Sequence, residues 1–339
     1  EKLARKMTLK RLTNNQRVVL MSNVDQKIAD LLDQNRRILI VSHVRPDADA
    51  VGSVLALGLA LKNAGKSVQM VLEDGSTGFE YLPNIELVKQ VPEGNVDLVI
   101  VVDCSDPARV GNVLNNLGKP DLVVDHHKTN ISFGTYNIVE PEQVATAGIL
   151  FDHMPKWGLT IDPEVATCLL AGIVGDTIGF RTSNVNSAAL RRSGWLFNSC
   201  LHRGRIYREE LVLQSFKAVR YWGAGLSRLQ YDNGIVWTSL TLTDRKNVGY
   251  PGNDDAERHF MLSSVKEAEI ALIFVEQSQN DVKISWRARP GIDVSGIAFE
   301  FGGGGHAAAA GADVKGSLNE VQKRVILQTK KLLDERKIE

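Results

Sequence analysis

Acidic residues and histidines occur in four short clusters, and both residue types bind divalent metal ions. The clusters are His43, Asp47 and Asp49; Asp103; Asp125, His126 and His127; and Asp176. Several carboxylates in one crevice would repel one another unless cations neutralised them. Carboxylate oxygens with one or two imidazoles suit Mn²⁺, Mg²⁺ or Co²⁺ rather than a thiolate zinc site. Two such ions can activate a water molecule and stabilise both oxygens of an in-line phosphoryl displacement.

Taken alone, one histidine near two aspartates would also fit a solvated loop or a helix cap. Three clusters, however, directly follow apolar segments at residues 37–42, 97–102 and 121–124, and another apolar strand is predicted at 67–72. Continuous apolar runs are typical of strands buried on both faces of a parallel sheet. The carboxyl ends of such strands meet along one edge, where ligands bind. We therefore expect the clusters to converge and favour the metal interpretation.

Helical spacing of apolar residues separates and follows these strands. Helices are predicted at residues 23–37, 50–64, 145–157, 163–173 and 186–201. Alternation of strand, polar loop and helix predicts an α/β fold with a doubly wound, mainly parallel sheet.

The length of 339 residues suits two domains. We predict an N-terminal extension at 1–22, the metal-binding domain at 23–202, a helical linker at 203–224 and a smaller α/β domain of mixed sheet at 225–339. In the smaller domain, strands are predicted at 234–242, 268–275 and 281–287, with helices near 254–266 and 317–336.

Lysine plus arginine and aspartate plus glutamate both total 40, so the chain has no global basic field. A nucleic-acid substrate would therefore be short or held by a local patch. The three cysteines form no closely spaced pair, which favours unpaired thiols in a reducing compartment. The sequence contains no apolar run of transmembrane length and no signal-peptide pattern, and we expect a cytoplasmic protein.

A glycine run at Gly302–Gly305 precedes His306 and a row of alanines. Glycines alone would fit a flexible linker, but the flanking Phe301 and His306 do not. A glycine loop that opens a helix of small residues lets backbone N–H groups approach a phosphate, and His306 would add a donor. Arg287, at a predicted strand end, is either an ordinary surface charge or a bidentate phosphate ligand.

These motifs, in this order, resemble those of the DHH phosphoesterase family. They are His43-Val44-Arg45-Pro46-Asp47-Ala48-Asp49, Val102-Asp103-Cys104, Asp125-His126-His127, Gly175-Asp176-Thr177 and Gly302–Gly311. The resemblance covers about residues 23 to 331. It points to the two-domain branch of oligoribonucleases and 3′-phosphoadenosine 5′-phosphate (pAp) phosphatases, which carries a DHH-associated second domain.

The resemblance implies two divalent ions, with Mn²⁺ expected and Mg²⁺ or Co²⁺ as alternatives. The implied ligands are His43 and Asp47 for one ion, Asp49 and His126 for the other, and Asp103 and Asp176 as bridges. Asp125 and His127 would orient His126 and meet the scissile phosphate, which makes them catalytic together with Asp103. In the second domain, the implied substrate-binding residues are Arg287, Ser295, Gly303, Gly304, Gly305 and His306.

The implied activity is hydrolysis of short RNA or DNA oligonucleotides, about two to five nucleotides long, to mononucleotides, and of pAp to AMP. The active site would lie in the cleft between the domains, and relatives are often homodimers. Ala307–Ala309 is less polar than the family pattern, which leaves the fine substrate preference open.

Four alternatives remain. A cyclic-dinucleotide or pApA phosphodiesterase has the same catalytic motifs. A family II-type inorganic pyrophosphatase shares the metal motifs, but its second domain carries a cradle rich in lysine and arginine, unlike the glycine run here. A RecJ-like single-strand exonuclease would need a basic channel. A non-enzymatic nucleotide-binding module would show degraded ligands, whereas all six positions here hold competent side chains.

Overall fold

The fold is known from a computed structural model, which describes residues 23–115, 117–201, 203–252 and 260–336. The predicted extension at 1–22 lies outside this part of the chain. The chain divides into two compact units, Glu1–Leu213 and Gln214–Glu339. Each unit contains its own sheet, and the α/β fold class is as predicted.

The sheet of the first unit is entirely parallel. Its strands are β1 (Arg37–Val41), β2 (Ser67–Val71), β3 (Val88–Lys89), β4 (Leu98–Val102), β5 (Leu122–Asp125) and β6 (Tyr136–Val139). Their order is β3-β2-β1-β4-β5-β6, so β1 and β4 are neighbours although two strands intervene in the chain. The four predicted strands are present. β3 and β6 escaped prediction because they are short and lack a continuous apolar run.

Among the described residues of the first unit, six α-helices accompany the sheet, and the five predicted ones are all present. They are α1 (Asn23–Gln34), α2 (Ala48–Asn63), α3 (Thr146–His153), α4 (Pro163–Asp176), α5 (Ser187–Ser199) and α6 (Arg203–Leu211). Ile38 and Ile40 pack against the helices on one face of the sheet. Leu39 and Val41 face the other way, into a smaller core that Cys104 and Val110 help to cover. The alternation along β1 thus gives each face its own core.

Helices α2 and α4 pack closely because glycines occupy their contact. A Cβ atom at Gly52 would lie 2.5 Å from the carbonyl oxygen of Cys168. A Cβ atom at Gly172 would lie 2.7 Å from Oδ1 of Asp49. Residues of α2 from Ala48 to Leu61 are all buried, so this helix crosses the interior of the unit.

The second unit has a mixed sheet of order β11-β12-β10-β9-β8-β7. Its strands are β7 (Gln230–Asp232), β8 (Ile235–Leu240), β9 (Ile270–Ser278), β10 (Asp281–Ala288), β11 (Gly304–His306) and β12 (Ala309–Lys315). Its helices are α7 (Phe216–Leu226), α8 (Leu242–Val248), α9 (Phe260–Ser263), α10 (Ser295–Glu300) and α11 (Leu318–Arg336). Strands β8 and β9 are parallel and the other pairs are antiparallel.

Two helices, rather than one, occupy the segment predicted as a helical linker. Helix α6 packs against α4 in the first unit, whereas α7 buries Tyr221 and Trp222 in a core of the second unit. Residues 212–215 separate them. Within the described residues, none of the helices has the length and apolar character needed to cross a membrane.

The predicted helix after the glycine run is wrong. Residues Gly304–His306 and Ala309–Lys315 instead form an antiparallel hairpin at the edge of the second sheet. Alanine has a high helix propensity, but the register of β12 with β10 gives these small residues a place in a sheet.

Candidate metal centre

The metal-binding candidates of the first unit lie around the carboxyl ends of β1 and β4. After β1 the chain continues to β2 on one side of this strand pair, and after β4 it continues to β5 on the other side. Parallel α/β sheets form a ligand-binding crevice at such a point. His43 follows β1, Asp103 follows β4, and Asp125 is the last residue of β5. The predicted convergence of the clusters is therefore found.

One group of ligand atoms comes from His43, Asp47 and Asp103, and these atoms lie within 4.8 Å of one another. His43 and Asp103 are 4% and 1% exposed, and Nε2 of His43 lies 3.6 Å from Oδ2 of Asp103. The other ring nitrogen of His43 is 2.9 Å from the carbonyl oxygen of Val44. Asp47 caps α2, since its Oδ1 accepts the backbone N–H groups of Asp49 and Ala50.

A second group consists of Asp103, His126 and His127, again within 4.8 Å. Nε2 of His126 lies 3.6 Å from Oδ1 of Asp103 and 3.8 Å from Oδ2 of Asp176. Asp176 is the last residue of α4. Asp103 is thus common to both groups, as the predicted bridging role requires.

Asp49 belongs to neither group. Its carboxylate is buried and faces the start of α3, where Oδ2 accepts the N–H of Thr146 at 2.6 Å and Oδ1 accepts that of Ala147 at 2.9 Å. Ser53 donates to Oδ1 as well, at 3.3 Å. Asp49 therefore acts as the cap of α3, whose own N-cap residue, Ala145, has no side-chain oxygen.

The pKa values of Asp49 and Asp176 are raised, whereas that of Asp103 is lowered. Burial, together with the charges of Asp103 and Asp176, raises the pKa of Asp49 well above its usual value. Burial also raises the pKa of Asp176 to about 7, although attraction to His126 opposes the shift. For Asp103, burial is outweighed by His43 and His126, which lower the pKa of its carboxyl. Burial and mutual repulsion thus disfavour the charged forms of Asp49 and Asp176, and a bound cation would relieve this repulsion.

Asp125 pairs with His127, a member of the second group. Nδ1 of His127 lies 2.7 Å from Oδ1 of Asp125, and Nδ2 of Asn130 donates to Oδ2 at 2.7 Å. Burial disfavours the charged imidazole, but the hydrogen bond to Asp125 and the charge of Asp103 raise the pKa of His127 to about 9. Asp125 is fully buried and therefore fixes the orientation of His127.

Three polar contacts of the centre come from residues that sequence reasoning missed. Oγ1 of Thr146 donates to Oδ1 of Asp103 at 2.9 Å, the carbonyl oxygen of Gln143 lies 3.4 Å from Nδ1 of His126, and Asn130 supports Asp125. One feature of the sequence could have indicated the contact between α3 and Asp49. A helix that starts after Ala145 has no side-chain cap, so its first N–H groups need an acceptor elsewhere in the chain.

The backbone is strained at three points of the centre. Arg45, Asp103 and Ile178 have positive φ angles of 55°, 53° and 48°. This region is rare for residues other than glycine and especially unfavourable for β-branched Ile178. Such strain persists where the surrounding structure imposes it, and it concentrates at functional sites.

The second unit brings several predicted substrate residues close in register. Arg287 of β10 is paired with Ala309 of β12, and Ala309 is paired with His306 of β11. The N–H of Val294 donates to the carbonyl oxygen of Ala307 in the hairpin turn, which places Ser295, the first residue of α10, beside the hairpin. The Nη1 atom of Arg287 donates to the carbonyl oxygen of Trp286.

The glycines of the hairpin differ in what surrounds them. A Cβ atom at Gly303 would lie 2.0 Å from the carbonyl oxygen of Gly311. One at Gly305 would lie 2.5 Å from the carbonyl oxygen of Ala309, and the φ of Gly305 is 146°. A Cβ atom at Gly304 would meet no atom within 4 Å. Two of these three glycines are therefore needed by the close approach of backbones.

Comparison with known proteins identifies the family. A model of the DHH family, N-terminal domain, matches residues 37–173, and a model of the DHHA1 domain matches residues 256–331. The bifunctional oligoribonuclease and PAP phosphatase NrnA of Thermus thermophilus is 31% identical over 300 residues, which are 85% of this chain and 88% of that protein. The chain belongs to the DHH family. This confirms the resemblance found in the sequence.

Other relatives of this DHH-family protein agree. The protein of the same description from Mycoplasma genitalium is 29% identical over 289 residues, covering 83% of this chain and 89% of that one. An exopolyphosphatase-related protein from Bacteroides fragilis has the same fold, with a TM-score of 0.84 over 94% of this chain and 99% of that chain, at 24% identity. As a DHH phosphoesterase, the protein is a hydrolase of phosphoester bonds.

The residues present fit the divalent metal ions on which the DHH family depends. Carboxylate oxygens and imidazole nitrogens form both ligand groups, and neither group contains a thiol. Burial raises the pKa of Cys104 to about 12, its Sγ donates to the carbonyl oxygen of Asp106, and the thiol belongs to neither ligand group. The donor set therefore suits Mn²⁺ or Mg²⁺ better than a thiolate zinc site.

Proposed function

We propose that this protein is a two-metal phosphodiesterase and phosphatase that hydrolyses short oligonucleotides to mononucleotides and pAp to AMP. The observation that carries the proposal is the pair of ligand groups that share Asp103. The two NrnA relatives support the choice of substrates, because both are described as bifunctional oligoribonuclease and PAP phosphatase.

His43 and Asp47 would hold one ion, and His126 with Asp49 the other. Asp103 and Asp176 would bridge the two. For Asp49 this role requires an oxygen lone pair in addition to those that accept the N–H groups of α3, and a carboxylate has about four such positions. Mn²⁺ is the proposed ion, and Mg²⁺ and Co²⁺ are the alternatives.

The bound ions would supply an activated water and neutralise the charge that develops on the phosphoryl oxygens. The side chains around them orient the reaction. The carboxylate of Asp125 holds Nδ1 of His127 and so orients the ring. The other ring nitrogen, Nε2, would donate to a phosphate oxygen or to the leaving group. Thr146 holds Asp103 in the orientation that both ligand groups need.

In the second unit, the hairpin and Arg287 would bind a phosphate or the terminal nucleotide. The absence of side chains at Gly303, Gly304 and Gly305 would let an anion approach the backbone, while the N–H of Gly303 itself donates to the carbonyl oxygen of Ala298. Arg287 and His306, which belong to the same row of paired strands, would add cationic or donor contacts. Ser295 begins α10 beside this row.

The test is a substrate panel with wild-type protein and Asp103→Asn. Labelled RNAs and DNAs of two to five nucleotides, pAp, pApA and pyrophosphate would each be incubated with Mn²⁺, Mg²⁺ or Co²⁺. We expect manganese-dependent hydrolysis of short RNA and pAp, reduced at least a hundredfold by Asp103→Asn. Asp106→Asn is the control, since Asp106 caps the short helical turn at Pro107–Val110. Dominant cleavage of pyrophosphate, or unchanged turnover by Asp103→Asn, would refute the proposal.

The proposal includes a cytoplasmic location and a homodimeric assembly. Three unpaired, buried cysteines support a reducing compartment. Sedimentation of the purified protein would test the dimer, and fractionation of cells would test the location.

A further inference from the structure

A partly buried cluster of ionisable residues, centred on Asp25, belongs to neither ligand group. Nδ1 of His153 lies 2.5 Å from Oδ1 of Asp25, and Nε2 of the same ring lies 2.8 Å from Oε1 of Glu140. Nε1 of Trp157 also donates to Asp25, and Nζ of Lys156 lies 3.5 Å from its other oxygen. Asp25 is 1% exposed, so its carboxylate is held in one orientation.

This cluster is connected to His126 through one turn of the chain. Nε2 of Gln143 donates to Oε2 of Glu140 at 3.0 Å, and the backbone N–H of Gln143 donates to the carbonyl oxygen of Glu140 at 3.0 Å. The carbonyl oxygen of Gln143 then faces Nδ1 of His126 at 3.4 Å. Glu140 itself is anchored by its N–H, which donates to the carbonyl oxygen of Asp125 at 3.0 Å.

The position of the Gln143 carbonyl matters because His126 has two ring nitrogens. When Nδ1 carries the proton and donates to this carbonyl, Nε2 has its lone pair toward Asp103 and Asp176. Metal-binding histidines usually need such a partner to fix the tautomer and the ring orientation. A shift of the turn at 140–143 would remove the partner and allow the ring of His126 to rotate.

We propose that Glu140 and His153 are positioning residues for His126, acting through the carbonyl group of Gln143. Asp25 holds His153, His153 holds the carboxylate of Glu140, and Glu140 fixes Gln143 by both its backbone and its side chain. The inference rests on the proposed metal-binding role of His126. It assigns a role to a cluster that the ligand groups do not include.

A purely structural role would be to tie α1, α3 and the turn after β6 together. The chain offers a matched control for this possibility. Asp152, the neighbour of His153 on α3, forms an ion pair with Arg192 that ties α3 to α5 instead. Asp152→Asn therefore removes a comparable tie from the same helix without touching the connection to His126.

The experiment compares wild type, Glu140→Ala, Glu140→Gln, His153→Ala and Asp152→Asn by titration with MnCl2 alone, in a calorimeter. Loss of a residue that orients a metal ligand typically weakens metal binding ten- to hundredfold. We expect such a loss for one of two Mn²⁺ ions in Glu140→Ala and His153→Ala. Glu140→Gln retains one oxygen acceptor and should lose less. Asp152→Asn should lower the melting temperature but leave both affinities unchanged.

A second readout uses protein saturated with diamagnetic Mg²⁺, and it does not depend on activity. Nitrogen-15 NMR reports which ring nitrogen of His126 is protonated, and the signal is assigned by its loss in His126→Gln. With an ion bound at Nε2, we expect the proton on Nδ1 in wild type and Asp152→Asn, and a mixture of ring orientations in Glu140→Ala. An unchanged tautomer together with unchanged Mn²⁺ affinities in Glu140→Ala would overturn the inference. Failure of wild type to bind Mn²⁺ or to cleave any phosphoester would instead overturn the proposed function.

Discussion

Thr146 donates its hydroxyl hydrogen to Oδ1 of Asp103 at 2.9 Å, and its own N–H donates to Oδ2 of Asp49 at 2.6 Å. One fully buried residue therefore connects the shared carboxylate of the metal centre with the carboxylate that caps α3. The start of α3 fixes two acids, one in the first turn of α2 and one directly after β4. The contacts that cap α3 therefore also orient two proposed metal ligands.

Replacement of Thr146 separates these two functions. Thr146→Val keeps the shape and the backbone N–H but removes the hydroxyl, so Oδ1 of Asp103 loses a donor. Loss of one such buried hydrogen bond costs about 1–3 kcal/mol. We expect kcat to fall at least tenfold, while Thr146→Ser retains most activity. Steady-state kinetics on pAp with Mn²⁺ would check this, and equal activity of the two variants would contradict it.

Gly172→Ala tests the space that α4 leaves for Asp49. The new methyl group would lie 2.7 Å from Oδ1 of Asp49 and 2.8 Å from Cβ of Ala147, so one of them must move. We expect destabilisation of about 1–3 kcal/mol and weaker Mn²⁺ binding. Gly194→Ala is the control because a Cβ there meets no atom within 4 Å. That variant should be about 0.5–1 kcal/mol more stable through its helix propensity. Urea unfolding and calorimetric titration measure both effects.

The hairpin glycines should respond differently to alanine. Gly303→Ala places a methyl group 2.0 Å from a backbone oxygen, whereas Gly304→Ala meets open space. We expect Gly303→Ala to raise KM for pAp several-fold and to destabilise the second unit, because the strands must separate. Gly304→Ala should fold like wild type. Circular dichroism melts and KM measurements provide the comparison, and a harmless Gly303→Ala would show that the strands can move apart.

Removal of metal should destabilise the protein. Asp49 and Asp176 have raised pKa values because burial and neighbouring carboxylates disfavour their charged forms, and bound cations would relieve this repulsion. A ligand at about one hundred times its Kd stabilises the folded state by about 2.7 kcal/mol. We therefore expect EDTA to lower the melting temperature and excess Mn²⁺ to restore it. Asp103→Asn should lose most of this response, and a melting temperature insensitive to EDTA would contradict the expectation.

The cluster around His153 should make stability depend on pH. Burial disfavours the charged ring, but hydrogen bonds to Glu140 and Asp25 outweigh it and raise the pKa of His153 despite the nearby Lys156. A raised folded-state pKa contributes stability below the unfolded value, about 6.5, and this contribution is lost as pH rises through the folded value. The side-chain hydrogen bond from His153 lowers the pKa of Glu140, so its contribution is lost at acid pH.

We therefore expect the difference in unfolding free energy between wild type and His153→Gln to be largest near pH 5–6 and smaller at pH 9. Chemical unfolding at several pH values measures it. Asp152 pairs with Arg192 rather than with a histidine. The difference in unfolding free energy between wild type and Asp152→Asn should therefore not depend on pH in this range. A difference that grows from pH 6 to pH 9 would have the wrong sign and would reject this account.

The sequence was most informative where function depends on strand ends. Continuous apolar runs placed β1, β4 and β5, and parallel pairing then required His43, Asp103 and Asp125 to lie at one edge. Periodicity could not show that Asp49 faces α3, because this contact joins residues almost one hundred positions apart. Nor could it identify Thr146, whose importance comes from that same long-range contact.

The glycine and alanine run shows the opposite limit. Its local composition favours a helix, and only the pairing of β12 with β10 makes it a strand. Side chains as small as alanine give almost no alternation of apolar and polar residues, so the period of two that identifies a strand was absent. A tertiary contact decided the structure of this segment.

The positive φ of Ile178, two residues after Asp176, also bears on how such an enzyme would evolve in the laboratory. Glycine adopts this conformation without strain, and natural proteins commonly keep strained residues at functional sites at the expense of stability. A screen for heat resistance alone would therefore enrich Ile178→Gly and Arg45→Gly. The same clones would lose the rigidity of the turns that carry the ligands. Selection for thermal stability would therefore favour glycine at these two positions, whereas selection for turnover would favour the present residues.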